Sequence, residues 1–485
     1  MHMSWKQLTH FKNIPIEARV SMAYAVCSIL QNCLQFVTLP LFARILTTEQ
    51  YGQYTIYTSW SAILVIFITL NLPYGSFSTA MVKFEEKRDR YIASAEGICL
   101  LLTVCFLALY LPFQKRWNTL FELPTGLVLV MLGEMLANAG ILFWSGKKRF
   151  EYRYKSVIAV TLLNSVLGPV AAYILVVGST ERGYARILGY AGVTILTGGV
   201  IFILNLVRGR QIFNRQMWQF ALGFNLPLIC YYLSQVVFNQ SDRIMISHYC
   251  GKAQAAIYGV AYSIAMVLTF VLNAVNNSYV PWFYGKLKEG KQRDNRAITS
   301  GIAVLMAVLL LGVIWLTPEI IWIMAGSEYA DAIWVVPPVA MSVLLLFYAQ
   351  LYINVEFYFE KKKHLVIASI GAALMNIGLN AWLIPVFGFV AAGYTTLASY
   401  VIFVLANYAA MRQVLRQEGL TDEAYDHRQL ILIFVGFMLL GFTGCALYMY
   451  VWVRYLVIAV MLAGLLMGRK RMLGYLRRLK SRGSE

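Results

Sequence analysis

Charge is scarce in this sequence of 485 residues. Only 13% of positions are Asp, Glu, Lys or Arg, against about 25% in soluble domains. Polar stretches are equally short: the longest polar connection, Arg412 to Arg428, spans seventeen residues. No separate soluble domain can be built from it, so the chain must act within a membrane or at its faces. Acidic residues are the scarcer sign, 23 against 41 basic, for a net charge of +18. A basic surplus can serve nucleic-acid binding, but only on a folded, water-facing surface. The sequence has none, which excludes nucleic acid as a partner. The seven cysteines lie mainly in apolar runs (Cys27, Cys33, Cys99, Cys105, Cys230, Cys445), with Cys250 at a helix end. They read as small core residues, not as a disulfide framework. His2, His10, His248, His364 and His427 are scattered near ends and loops, which offers neither a metal cluster nor an acid/base constellation. A glycine-rich phosphate loop closed by Lys-Ser/Thr is missing too, which argues against ATP hydrolysis. The polar start, MHMSWKQLTHFKNIPIEARV, lacks the short apolar core and small-residue cleavage site of a signal peptide, so the first apolar run is expected to be a retained helix.

What the chain does have is apolar length: 59% hydrophobic residues and a mean hydropathy of +0.63. A bilayer core about 30 Å thick needs roughly 20 apolar residues of helix. Breaks at charge clusters and turn residues leave fourteen such runs, from 19–43 through 54–81, 219–248 and 255–282 to 452–468. The fold class is therefore an all-α polytopic membrane protein with about fourteen transmembrane helices. Lys and Arg fall unequally on alternate connections, 33 on one set and eight on the other (Arg44, Lys115, Arg116, Arg182, Arg186, Arg243, Lys252, Arg454). Retained positive charge marks the cytoplasmic side, which places both termini there.

The sequence also repeats. After the first run stands FARILTTEQYGQYTIYTSW, and around the eighth stands SDRIMISHYCGKAQAAIYGVAYSI. Arg44 matches Arg243, Tyr51-Gly52 matches Tyr258-Gly259, and Tyr54 falls near Tyr262. An offset of six helices keeps the same orientation, so two pseudosymmetric bundles with a cavity between them are expected. The domains read as 1–215 (helices 1–6), 216–415 (helices 7–12) and 416–485 (helices 13 and 14 with a basic tail). Three stretches, ARILTTEQYGQY, NQSDRIMISHYCGKAQAAIYGVAYSI and FGFVAAGYTTLASY, carry a resemblance to the oligosaccharide flippase family of the multidrug, oligosaccharidyl-lipid and polysaccharide exporter superfamily. The resemblance spans roughly residues 15 to 410. It implies two six-helix lobes that rock to expose a cavity to either side. It further implies a substrate of undecaprenyl-diphosphate-linked sugar repeat units for O-antigen, capsule or exopolysaccharide, moved across a bacterial inner membrane.

Such a headgroup needs a hydrated polar path, because each unpaired polar group in hydrocarbon costs several kcal/mol. Candidate lining residues are Gln31, Gln35, Asn71, Asn138, Asn225, Asn239, Gln240 and Asn276; the alternative is that these amides only bond neighbouring helices. Charges inside apolar runs are costly and mark function. Arg44 and Arg243 are the candidates for the diphosphate, since a guanidinium holds phosphate oxygens with two parallel bonds, and Asp242 adjoins Arg243. The competing reading has Arg44 at the interface and Arg243 paired with Glu134 or another carboxylate. Glu134 is the candidate for a coupling proton or sodium ion, or else a static counter-ion to an arginine. No other cofactor is implied. Prolines and glycines interrupt several runs, at Leu72–Gly75, Pro40, Pro169, Pro227 and the pair Pro337 and Pro338. Among the aromatics, Tyr231, Tyr232, Tyr348 and Tyr352 lie deep enough to touch a sugar. The tail from Arg469 to Arg482 is expected to hold anionic membrane lipids, and docking to other polysaccharide-assembly membrane proteins is a further role for it. Three alternatives stay open: a flippase for the lipid-linked peptidoglycan precursor, a cation-coupled drug exporter, and a polymerase or ligase. The enzyme lacks a sizeable outer loop to stand on, because the longest outer connection, Pro318 to Asp331, has fourteen residues.

Overall fold

The computed structural model describes residues 16–361, 363–421 and 424–460; the basic tail from Arg469 lies outside them. Among the described residues there is no strand, and twelve helical segments are long and apolar enough to cross a membrane. Two expected spans fall outside that twelve for visible reasons. Helix α2 (Thr48–Thr69), which follows α1 (Ile16–Ile45), has 22 residues but carries Glu49, Gln50, Gln53 and a run of Thr and Ser. The last span begins at Val451, and only Val451–Val460 of it is described. The chain is a multi-pass membrane protein. Contacts divide it into two compact units, 1–256 and 257–485.

In the first unit α2 starts on a capping box, in which the Thr47 hydroxyl accepts from Gln50 and the Gln50 side chain accepts from the Thr47 amide. This satisfies two amides that the helix leaves orphaned. The expected run 54–81 is broken. Leu70 and Asn71 adopt left-handed φ values of 47° and 53°, and the Asn71 carbonyl accepts from Tyr74 and Gly75. Pro73 supplies no amide to carry the helix on, and the chain turns before α3 (Phe77–Lys83). Helices α4 (Arg88–Tyr110), α5 (Gln114–Phe121), α6 (Thr125–Phe150), α7 (Tyr154–Val177) and α8 (Arg182–Gly209) follow. Then come α9 (Arg215–Asn225) and α10 (Ile229–Cys250), which Pro227 separates. Small residues let α8 lie close to its neighbours. A Cβ on Gly189 would stand 2.2 Å from the Ala172 backbone, and one on Gly198 2.4 Å from the Ala137 carbonyl, the close approach that stands in for hydrophobic drive inside a bilayer. A core of Leu72, Phe77, Met81, Tyr91, Phe143 and Met217 fills the end of the unit where α3, α4, α6 and α9 meet. Beside it Lys147 reaches Asp89 at 2.6 Å and Glu151 at 3.3 Å. Burial alone would raise the Glu151 pKa, but Lys148 and Lys147 outweigh it and hold the carboxyl below its ordinary value.

Helix α11 (Lys252–Ala265) carries the boundary between the units. The second unit continues with α12 (Thr269–Lys288), α13 (Asn295–Trp315), α14 (Thr317–Met324), α15 (Val336–Tyr358), α16 (Lys363–Phe387), α17 (Val390–Gln417) and α18 (His427–Ala446). Its centre is α15, buried at most positions. Pro337 and Pro338 sit in the first turn of that helix, where a missing amide costs nothing, so they start a helix instead of interrupting one. Tyr348 and Tyr352, expected to reach a sugar, are buried: the Tyr348 hydroxyl donates to the Leu430 carbonyl at 2.9 Å, and the Tyr352 ring packs on Tyr408 and Tyr425.

Candidate functional site

The first unit holds a polar cavity of about 280 Å³ lined by Tyr57, Thr58, Ser61, Ala62, Val65, Glu134, Met135 and Asn138. Five of these come from one face of α2, since Tyr57, Ser61 and Val65 recur at four-residue spacing with Thr58 and Ala62 beside them. Glu134 and Asn138 stand one turn apart on α6 for the same reason. Across the cavity the Tyr57 hydroxyl donates to a Glu134 carboxylate oxygen at 2.6 Å. A carboxyl on an apolar helix is thus held by a neutral donor, and among the described residues Glu134 makes no ion pair. The static counter-ion reading of Glu134 therefore finds no arginine, while room remains beside it for a small cation or water.

The charged pair of the first unit lies on α10. Asp242 is buried, 1% exposed. Arg243 is half-buried, and its guanidinium donates to the Gln240 side-chain oxygen at 2.5 Å and to the Asn239 carbonyl at 3.3 Å. The Asn239 amide donates to the Gln235 carbonyl at 2.7 Å. The amides that sequence periodicity placed on this helix therefore support its arginine. Arg44 is exposed in the last turn of α1. Asn71 sits in the turn after α2 with its carbonyl engaged, not in a span. The Gln35 side chain lies outside the described residues. Asn276 belongs to the second unit, where it accepts from the Asn354 amide at 3.2 Å. Two other amides of the sequence reading bond neighbouring helices, Gln31 to Ser165 at 3.3 Å and Asn225 to Ser76 at 2.8 Å.

Three groups escaped sequence reasoning. Glu96, wholly buried in α4, accepts from the Asn205 amide at 2.8 Å, and its second oxygen has no partner among the described residues. Glu356 is wholly buried in α15, and neither carboxylate oxygen has a hydrogen-bond partner among the described residues. Arg186, counted from sequence among the basic residues of the outer connections, is 4% exposed in α8, with its guanidinium 3.6 Å from the centre of the Tyr54 ring, 4.2 Å from Tyr51 and 4.6 Å from Phe42. A desolvated cation over a ring gains about 2 kcal/mol, and burying the charge costs several. Glu96 had a sequence signal, being an acid inside an apolar run. Arg186 had a weaker one, falling within the first turns of an apolar run.

A family model described as polysaccharide biosynthesis protein matches residues 19–285. A protein of the Lsg locus of Haemophilus influenzae is 23% identical over 366 residues, covering 71% of this chain and 85% of that protein. The succinoglycan biosynthesis transport protein ExoT of Rhizobium meliloti is 22% identical over 308 residues, covering 62% of this chain and 60% of that protein. Among solved structures, the lipid II flippase MurJ in an inward closed conformation matches with a TM-score of 0.66 at 15% identity, over 90% of this chain and 100% of that one. An inward-facing multidrug resistance MATE family transporter matches with a TM-score of 0.58 at 13% identity, over 80% of this chain and 96% of that one. At such identities the two structures establish a shared fold.

Proposed function

The chain belongs to the polysaccharide biosynthesis protein family, and on that premise we propose that it is a flippase for undecaprenyl-diphosphate-linked oligosaccharide repeat units. It would load from the cytoplasmic leaflet of a bacterial inner membrane and release the headgroup outside by alternating access, with both termini in the cytoplasm. The observation that carries the reading is Arg243, a guanidinium on an apolar helix that the Gln240 side-chain oxygen and the Asn239 carbonyl hold in place. A guanidinium presents its N–H donors in a planar fork that matches the oxygens of a dianionic headgroup. Arg44 is its repeat partner, Asp242, Asn239, Gln35, Asn71 and Asn276 are the proposed polar contacts, and Glu134 is the proposed site of a coupling proton or sodium ion. No resident metal or cofactor is invoked.

The test is transfer of a labelled undecaprenyl-diphosphate oligosaccharide across proteoliposomes, scored by access of an external sugar-cleaving enzyme. Protein-dependent exposure is expected, and Arg243→Ala should abolish it while the protein still inserts. Normal transfer by that variant would remove the diphosphate-contact role. No transfer over several sugars and gradients would move the reading to a cation-coupled drug exporter.

A further inference from the structure

Arg186 is nine-tenths buried and none of its guanidinium nitrogens makes a hydrogen bond to a described residue; Nε and Nη1 are wholly enclosed without partners. Among the described residues it makes no ion pair either. Glu134, which bonds Tyr57 one helical turn along α2 from Tyr54, does not reach it. Buried N–H donors without acceptors are rare in folded proteins and signal a missing partner. The rings of Tyr54, Tyr51 and Phe42 satisfy the face of the guanidinium but not its edge, where the donors point. One turn earlier on the same face of α8, Arg182 is exposed and donates from Nη1 to the Ile45 carbonyl at 3.3 Å, and the next residue back along α1 is Arg44. Arg182 and Arg186 thus stand at the corner between α1 and α2, and the last turn of α1 carries Arg44.

The helices approach closely beside the corner. A Cβ on Gly183 would stand 2.4 Å from the Gln53 side chain, and one on Gly52 2.1 Å from the Lys252 carbonyl. The arginine is nonetheless not a demand of the fold. When Gly189-Tyr190 of the first unit is set on Gly393-Tyr394 of the second, Val390 stands where Arg186 does.

We infer that Arg186, with Arg182 and Arg44, forms a binding site for a phosphate-type oxyanion at the α1–α2 corner. The edge of a guanidinium matches two oxygens of such an anion, and a planar fork held by stacked rings is already oriented for it. The inference deepens the flippase reading and rests on it only for the identity of the physiological anion: the diphosphate of the carrier lipid, or the headgroup of an anionic bilayer lipid.

The probe is inorganic diphosphate, titrated calorimetrically into the full chain in phosphatidylcholine nanodiscs, both in the parent and in the Arg243→Ala background that removes the other proposed contact. Saturable binding is expected to persist in that background, to weaken at least tenfold in Arg186→Gln, and to weaken less in Arg186→Lys, which keeps the charge in the ring cage and so guards against a variant that fails to fold. If the site is filled by a bilayer lipid, the same binding is abolished when phosphatidylglycerol replaces phosphatidylcholine; if by the carrier, it survives that exchange. Unchanged binding in Arg186→Gln and Arg186→Lys, or none in the Arg243→Ala background, would overturn the site. Failure of lipid-linked sugar transfer would sink the flippase reading while leaving diphosphate binding at Arg186 measurable.

Discussion

At the scale of the residue, the bond between Tyr57 and Glu134 is the contact with the most direct consequence. A hydrogen bond to a charged group is worth about 1.5–3 kcal/mol. Removing it in Tyr57→Phe should slow transport roughly tenfold or more while leaving dependence on an imposed proton or sodium gradient intact. Glu134→Gln should remove that dependence in the same proteoliposomes; if the dependence persists, Glu134 is structural. Glu134 was legible because an acid stands out in an apolar run. Tyr57 was not, being one of 31 tyrosines whose partner lies 77 positions along the chain. Arg186 was misplaced because a charge one turn inside a helix looks, in one dimension, like a charge just outside it. Its three rings come from α1 and α2, and only folding brings them over it.

At the scale of the element, apolar length located most helices, and turn chemistry located the break at Leu72–Gly75. The exact packing of helices was not readable, since glycines placed for close approach look like glycines anywhere. Gly52 separates the two kinds. Alanine there would put a methyl 2.1 Å from the Lys252 carbonyl, whereas Gly192, also helical, has nothing within 4 Å. Gly52→Ala is therefore expected to destabilise the protein by about 1–3 kcal/mol, and Gly192→Ala to leave stability unchanged or slightly raised. Thermal unfolding in detergent measures both, and equal midpoints would show that the backbones move apart at no cost. The proline pair at the start of α15 makes the complementary point. Proline ends or begins a helix according to which side of it the hydrogen-bond ladder lies, and that depends on the register of the whole span.

At the scale of the whole molecule, orientation rests on the uneven distribution of Lys and Arg. With the native cysteines replaced, a thiol placed by Ser179→Cys should react with an impermeant reagent added to intact cells, and one placed by Gly290→Cys should not; the reverse pattern would invert the topology. The repeat seen in sequence puts a boundary near residue 215, while contacts divide the chain at 256/257, because α10 packs on α2 and leaves the unit with its neighbours in space. By itself the sequence determined that this chain is a multi-pass membrane protein, that it repeats, and which of its helices carry improbable charges. Those are properties of composition and period, and the bilayer enforces them one residue at a time. Only the tertiary structure decided what stands beside each charge: Tyr57 beside Glu134, Gln240 and the Asn239 carbonyl beside Arg243, and three rings with no acceptor among the described residues beside Arg186. A charge's partner is a fact about distance across helices, and distance along the chain does not encode it.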